Sequence, residues 1–259
     1  MTECCSLWFG SDFTVLERAC LRSVINQGHR LTLYLYEVCP DVPEGITLAD
    51  ANTILPYETA VSYITKGKIA IFADWFRYQL QALGRGIWLD CDAYLLRPLD
   101  GRASYLMGVD RPNGQIQNGV LRLPPDSEVL LGLLSMFEHP YIPRWVPWKP
   151  RLKAQFVNLI GGDVDLARLP WGTTGPDALT ALARRHGVYH NALEPDVLYP
   201  KRWEEAAWVL DPAIQLEDVI TPRTLSIHLY NEMIKSFKTK PAPKGSFLAR
   251  IQQEGAAAS

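Results

Sequence analysis

The sequence predicts an α/β protein built around a largely parallel sheet. Short β-rich apolar runs alternate with segments of helical periodicity through the first hundred residues, which is typical of strands joined by crossover helices. The first of these runs ends at Gly10, and Ile87 to Leu89 is likewise apolar on consecutive positions, as expected for buried strands. The composition, 47% hydrophobic and 21% charged, is ordinary for a folded globular chain.

Turn and cap residues divide the first part of the chain. Thr14 is suited to cap a helix and Gly28 to end it, and Pro40 and Pro43 then interrupt regular structure. We predict a strand at 6–9, a helix at 14–28, a strand at 31–36 and shorter strands at 46–48 and 53–55.

An amphipathic helix is predicted from Lys68 to Leu83. Its apolar residues recur at spacings of one, three and four, which places them on one stripe that faces a core. Gly84 and Gly86 end the helix, and a buried strand follows at 87–89.

The second half is less regular. Residues 139–151 contain four prolines among several aromatic residues, so we predict an ordered but irregular excursion there. The sequence shows no internal repeat and no clear linker, so we predict a single domain over 1–240. Lys, Pro, Gly and Ala dominate from Lys240, which predicts a flexible tail over 241–259. The remaining predicted elements are strands at 101–111 and 119–123, helices at 128–137 and 177–186, and a strand at 225–230.

Charge and composition argue against several function classes. A formal net charge of −2 gives no electrostatic footprint for nucleic acid. No apolar run approaches the roughly eighteen residues of a membrane span, and the N-terminus lacks the pattern of a secretory signal. The five cysteines form no CxxC pair, so we expect reduced thiols and a cytoplasmic protein.

Asp90 and Asp92 are the strongest chemical signal in the sequence. They follow the apolar run Ile87, Trp88 and Leu89, and side chains two apart on a strand point the same way. Open α/β sheets bind ligands at the carboxyl ends of their strands. Two carboxylates there favour a hard divalent cation, Mg²⁺ or Mn²⁺, which would also neutralise a diphosphate leaving group.

The D-x-D pattern alone leaves other interpretations open. It also occurs in solvated turns. Phosphatases of the haloacid-dehalogenase type place D-x-D after an apolar strand and use the first Asp as nucleophile, usually near the start of the domain. Here the motif lies about ninety residues in and is followed by Ala93 and Tyr94, which is unlike that pattern.

The preceding helix adds a second acid and a base. Asp74 and Arg77 are three residues apart and share a helical face beside the apolar stripe. Such a pair is common on protein surfaces. A carboxylate for hydroxyl groups and a guanidinium for phosphate oxygens also meet the needs of a nucleotide-sugar site.

This combination resembles a known family. Asp74-x-x-Arg77, thirteen residues before the first Asp of Asp90-Cys91-Asp92, is similar to the DXD-containing sugar-binding region of a glycosyltransferase family. That family includes fungal α-1,6-mannosyltransferases, glycolipid α-1,4-galactosyltransferases and bacterial polysaccharide transferases. The glucosylating domains of large bacterial toxins are more distantly similar.

The resemblance extends to four further segments. Trp8 matches an opening-strand Trp that stacks on the donor base, and Asn118 lies in a strand behind the site. Gly175 belongs to a Gly-Pro element that opens a helix, and His228 lies in a late strand near the metal. Two departures are Arg85, where the family usually has Gly, and Tyr230, where it often has Trp.

The resemblance implies the GT-A fold, a Rossmann-like mixed, mostly parallel sheet with helices on both faces. It implies a retaining, metal-dependent transferase of hexose from a nucleotide sugar. UDP is favoured by Trp8, and GDP-mannose is the other candidate donor. Front-face attack needs no dedicated nucleophile, although Asp163 and Asp177 are candidates for one. The implied metal ligands are Asp90, Asp92 and His228, and the implied catalytic or donor-binding residues are Trp8, Asp74, Arg77, Asn118, Gly175 and Asp177.

The acceptor is implied only as a glycan or a lipid-linked saccharide. An aromatic and basic segment is suited to stack sugars, to meet anionic lipid headgroups at the inner face of a membrane, or simply to pack. A carbohydrate-binding or nucleotide-sugar-binding protein without turnover remains an alternative to the enzyme. The segment consists of Tyr141, Arg144, Trp145, Trp148, Lys149 and Arg151.

Overall fold

The computed structural model describes residues 1–110, 113–159 and 164–257. The strands are β1 (Glu3–Trp8), β2 (Arg30–Leu35), β3 (Thr47–Asp50), β4 (Ile87–Leu89), β5 (Ala93–Leu95), β6 (Leu106–Val109), β7 (Ile116–Arg122) and β8 (Ser226–His228). The α-helices are α1 (Val15–Asn26), α2 (Tyr57–Ile64), α3 (Ile69–Ala82), α4 (Glu128–Glu138), α5 (Trp148–Leu159), α6 (Pro176–Arg185), α7 (Pro195–Leu198), α8 (Asn231–Ile234) and α9 (Phe247–Ala256).

Six strands form the main sheet, in the order β3-β2-β1-β4-β7-β6. The pairs among β3, β2, β1 and β4 are parallel, and β7 runs antiparallel to both β4 and β6. A second, two-stranded antiparallel sheet joins β5 to β8. The predicted fold class, a mixed and mostly parallel α/β sheet, is therefore confirmed.

Helices cover both faces of the main sheet. Neighbouring residues of β1 point to opposite sides, so Cys5 joins the apolar cluster that contains α3, α4 and α6, and Cys4 joins the cluster that contains α1. A third cluster packs α9 against α1 and β8. All five cysteines are free thiols and are buried. None of the described helices has both the length and the apolar character needed to cross a bilayer.

The turn between α3 and β4 places the acidic motif at the sheet edge. Gly86 has a φ of +98°, and a Cβ there would lie 2.3 Å from the Glu3 carbonyl oxygen, so only glycine fits against β1. After β4 the Asp90 N–H donates to the Gly119 carbonyl, and the Ala93 N–H turns back to the Asp90 carbonyl. This tight turn presents Asp90 and Asp92 at the carboxyl end of β4.

Two predictions about local structure are wrong. Residues 53–55 do not form a strand. A 3₁₀ turn at Ala51–Thr53 leads into α2, and Pro56 directly precedes that helix, a position at which proline is tolerated. The irregular excursion ends earlier than predicted, since α5 begins at Trp148 with Pro150 in its first turn, where the missing N–H has no helical partner to lose. Of the strand predicted at 101–111, only Leu106–Val109 form β6; residues 101–105 are turn and irregular structure, and Arg111 lies outside the described residues.

The predicted flexible tail is also wrong over Phe247–Ala256. Ser246 caps α9 by accepting from the Ala249 N–H, and Phe247, Leu248 and Ile251 are almost fully buried. A Cβ at Gly255 would lie 1.7 Å from the Val15 carbonyl oxygen, so the two helices meet backbone to backbone. The C-terminal segment therefore contributes to the core beside α1.

Candidate metal centre and adjoining pocket

Asp90, Asp92 and His228 converge although 138 residues separate the first from the last. The pairing of β5 with β8 sets His228 opposite Ala93, directly after the acidic turn. His228 Nε2 lies 3.4 Å from Asp90 Oδ2 and 3.3 Å from Asp92 Oδ1. One ligand atom from each residue lies within 4.8 Å of the other two, a spacing that suits a single metal ion.

Each carboxylate has one oxygen committed to the protein and one turned toward His228. Asp90 Oδ1 accepts from Trp88 Nε1 at 2.7 Å and faces the Arg77 guanidinium at 3.3 Å. Asp92 Oδ2 accepts from the Asn231 N–H at 2.7 Å. The Tyr230 nitrogen lies 3.3 Å from His228 Nδ1, on the side of the ring away from the acids, and Nε2 faces the carboxylates. The candidate ligand atoms are therefore Asp90 Oδ2, Asp92 Oδ1 and His228 Nε2.

The charges of this group compensate one another. Burial raises the pKa of Asp92 against the opposing effect of His228. Burial alone would raise the pKa of Asp90, but Arg77 and His228 outweigh it and hold that pKa below its ordinary value. Burial would likewise lower the pKa of His228, but Asp92 and Asp90 hold it above its ordinary value. The site thus favours positive charge between the two acids.

The backbone behind the cluster leaves no room for a side chain. A Cβ at Gly119 would lie 2.7 Å from His228 Nε2 and 3.1 Å from Asp90 Oδ2. Glycine on β7 therefore lets the imidazole and the carboxylate pack directly against the sheet. Two carboxylates and one imidazole make a donor set that fits Mn²⁺ and, less well, Mg²⁺, which prefers oxygen ligands.

Asp74 and Arg77 join the same site from α3. Asp74 accepts from Asn118 Nδ2 at 2.8 Å and from the Thr174 hydroxyl at 2.7 Å. The Arg77 guanidinium donates to the Asn118 carbonyl at 2.6 Å and lies 4.9 Å from the centre of the Trp88 ring. Arg77 also faces both Asp74 and Asp90, so it links the helical acid to the metal cluster.

Asp74 is a buried acid with a perturbed pKa. Burial raises that pKa, while Arg77, Thr174 and Asn118 act in the opposite direction. A Cβ at Gly175, just before α6, would lie 2.9 Å from Asp74 Oδ2 and 3.0 Å from Asn118 Nδ2. Gly175 is thus required for the loop before α6 to close over Asp74.

A pocket of about 230 Å³ opens onto these side chains. Asp74, Arg77, Asp90 and Asn118 contribute polar groups to its wall, and the exposed Trp171 lies on the same wall. A small concave site with converging polar groups and perturbed pKa values is typical of a binding or catalytic site.

Two other sequence candidates lie apart from these contacts. Trp8 ends β1 and stacks on Phe13 with ring centres 4.7 Å apart, and its buried Nε1 has no partner among the described residues. Asp177, in the first turn of α6, accepts from Gln115 Nε2 at 2.5 Å. Asp163 lies outside the described residues.

The structure adds residues that sequence reasoning did not identify as part of the site. Trp88 shares the Asp90 side of the strand at i and i+2, a signal that was available in the sequence. Thr174 bonds Asp74 and is itself held by Tyr78, whose hydroxyl donates to the Thr174 carbonyl at 2.9 Å. Asn231 acts on Asp92 through its backbone, which no side-chain pattern reveals.

The aromatic and basic segment divides in two. Trp145 is half-buried, and its Nε1 donates to the Thr173 carbonyl at 2.9 Å, so it packs. Trp148 opens α5 and is 61% exposed.

No protein-family model matches this chain, and no curated protein matches it. Among solved structures, a chain named "PaToxG Glycosyltransferase" is similar at 12% sequence identity, with a TM-score of 0.47. The alignment covers 70% of this chain and 68% of that chain. At that similarity the likeness does not bear on activity, which has to be inferred from the site's own geometry.

Proposed function

We propose that this chain is a metal-dependent glycosyltransferase, which moves a hexose from a nucleotide sugar to a glycan or lipid-linked acceptor. The observation that supports this is convergence: polar and charged side chains from α3, the turn after β4, β7 and β8 share one site. That site combines a cation-binding group with a pocket whose polar groups suit hydroxyl and phosphate oxygens.

Asp90, Asp92 and His228 would hold the divalent ion, and the imidazole nitrogen favours Mn²⁺ over Mg²⁺. Such an ion, when bound, neutralises charge that develops on a departing diphosphate. Trp88 and Asn231 orient the two carboxylates by occupying their other oxygens.

The donor would occupy the pocket beside the metal cluster. Asp74 is proposed to accept from sugar hydroxyls, with Asn118 in the same wall and Gly175 packed against both. Arg77 is proposed to donate to a sugar or diphosphate oxygen and to keep the neighbouring acids ionised. We propose Trp8 as the stacking surface for the base, which favours UDP, with GDP-mannose as the second donor to test.

Transfer with retention by front-face attack is the proposed stereochemical course. Asp177 is an inferior nucleophile because its carboxylate is already bonded to Gln115 and burial raises its pKa. In the phosphatase role Asp90 Oδ2 would have to serve as both metal ligand and nucleophile, since the Trp88 N–H and Arg77 occupy Oδ1.

The test is release of nucleoside diphosphate from UDP- and GDP-sugars in the presence of Mn²⁺, with and without saccharide acceptors. Asp92→Asn should abolish turnover, and Asp126→Asn, at an exposed aspartate, should leave it unchanged. Phosphate release from p-nitrophenyl phosphate would instead favour the phosphatase. Donor binding without turnover for every acceptor would favour a non-catalytic binding protein.

A further inference from the structure

One face of α5 is apolar and exposed. Trp148, Leu152, Phe156 and Leu159 are 61%, 55%, 63% and 83% exposed. At 3.6 residues per turn these four positions fall within about 80° of the helix circumference. They form a continuous stripe, whereas exposed apolar residues on a globular protein are usually scattered.

Cations flank this stripe. The twelve residues of α5 include Lys149, Arg151 and Lys153 and no acid, although the whole chain has a net charge of −2. By helical geometry Lys149 lies about 20° beyond one edge of the stripe, and Arg151 lies about 60° beyond the other edge. No described carboxylate forms an ion pair with any of these three cations.

The opposite face of α5 leads toward the candidate site. Pro150, Ala154 and Val157 line a cavity beneath the helix, together with Lys68 and Leu169. Lys68 and Leu169 also line the pocket that contains Asp74. The inner side of α5 is therefore connected to that pocket through shared wall residues, while the exposed stripe faces outward.

We propose that α5 docks this protein on an anionic lipid surface, with the stripe from Trp148 to Leu159 inserted at the level of the headgroups. Lys149 and Arg151 flank the inserted face and contact lipid phosphates and carboxylates. A short helix with an apolar face edged by cations is the arrangement that binds such interfaces. The proposal deepens the proposed function, because it places the acceptor among lipid-linked saccharides.

Charge favours lipid over the other occupants of an apolar face. A second copy of the chain would place α5 either against its own copy or against another surface of the chain. In the second case the net charge of only −2 offers little negative charge to pair with these cations. In the first case the three cations of one α5 would face the same three cations of the other, and like charges repel. An anionic bilayer meets both the apolar stripe and its flanking charges.

Vesicle binding tests the proposal without donor or metal. The full chain is sedimented with phosphatidylcholine vesicles that contain about 30% phosphatidylserine, and with pure phosphatidylcholine vesicles. We expect binding to the anionic vesicles that weakens at high salt. Trp148→Ser with Phe156→Ser should weaken it at least tenfold. Lys149→Gln with Arg151→Gln should weaken it about 25-fold, at roughly fivefold for each cation near the surface.

Matched variants elsewhere on the surface serve as controls. Trp203→Ser removes another exposed tryptophan, and Arg102→Gln with Lys244→Gln removes two exposed cations. These should bind as the parent chain does, and circular dichroism should show every variant folded. Release of nucleoside diphosphate with a soluble acceptor should be unchanged in the α5 variants.

Three outcomes would overturn the proposal. They are failure to bind anionic vesicles, equal binding to neutral vesicles, and a stable dimer that the α5 substitutions dissociate. Vesicle binding by a chain that turns over no donor would instead contradict the proposed glycosyltransferase function and still support lipid docking through α5.

Discussion

At the residue scale, the candidate metal centre depends on the absence of a side chain as much as on the presence of three. Gly119 backs both His228 and Asp90, and its Cα hydrogen faces atoms that a methyl group would overlap. The strand that carries it is antiparallel to β4, so any shift of the backbone also moves the Asp90 turn. The geometry of the cluster is therefore sensitive to substitution of Gly119, although this residue has no functional side chain.

Gly119→Ala should displace His228 and weaken Mn²⁺ binding about tenfold or more, as changes behind metal ligands do. Titration of Mn²⁺ followed by electron paramagnetic resonance measures this directly. Gly132→Ala is the matched control, because the nearest atoms to the new methyl are the flexible end of Leu182 and alanine favours helix α4. Equal Mn²⁺ affinity in the two variants would show that the cluster does not hold the ion.

Glu17 is a buried acid whose charge is held by its neighbours. Lys238 lies 2.6 Å from its carboxylate, and Thr14 and Asn231 also donate to it. Burial alone would raise the pKa of Glu17, but these partners outweigh it and hold the pKa below its ordinary value. Because the folded pKa is lowered, the stabilisation is complete above the ordinary Glu pKa, about 4.3, and is lost as pH falls through the folded value.

Glu17→Gln should therefore lower the free energy of unfolding by about 2 kcal/mol at neutral pH, since Lys238 loses its partner. The difference from the parent chain should shrink as the pH falls below the ordinary Glu pKa, because the protonated acid resembles the amide. Denaturant unfolding across the pH range measures it, with the exposed Glu138→Gln as control. A difference that does not depend on pH would mean that the carboxylate charge contributes nothing.

At the element scale, α9 behaves as part of the core. Ile251 is fully buried among α1 and β8 residues, and Gln253 on the same helix is exposed. Ile251→Ala should destabilise the fold by about 2–5 kcal/mol, as large-to-small changes in cores do. Gln253→Ala should change it by less than about 0.5 kcal/mol. Thermal unfolding of both variants checks this. Equal melting temperatures would mean that the C-terminal segment is a flexible tail after all.

The elements that the sequence failed to predict share a physical cause. Ser246 is followed by apolar residues at 247, 248 and 251, so a helix signal was present, but the flanking Pro and Gly obscured it. In α5, Pro150 suggested a break although a first-turn proline costs no hydrogen bond. Strongly periodic segments such as α3 and the apolar run of β4 were predicted to within one or two residues.

At the scale of the whole molecule, the site is assembled from segments that meet only when the chain is folded. Motif spacing indicated Asp74, Arg77, Asp90 and Asp92, because an amphipathic helix leads directly into a buried strand. The resemblance supplied Asn118, Gly175 and His228, which reach the site through β7, the α6 start and β8. Spacing alone does not indicate them, since those pairings are long-range.

Because folding creates the site, ligands that bind it should stabilise the entire fold. A ligand at a hundred times its Kd adds about 2.7 kcal/mol, which for a chain of this size corresponds to a melting-temperature rise of about 5–10 °C. Mn²⁺ and UDP together should give this rise. Mn²⁺ with UMP should give much less, since UMP lacks the second phosphate that the cation would contact.

Differential scanning fluorimetry of the parent chain, Asp92→Asn and the control Asp126→Asn separates the contributions. The rise with Mn²⁺ and UDP should persist in Asp126→Asn and vanish in Asp92→Asn, because only the latter removes a candidate ligand atom. The same rise in Asp92→Asn would place the cation elsewhere. A larger melting-temperature rise with GDP than with UDP would still support the metal centre, but it would reverse the base preference proposed from Trp8.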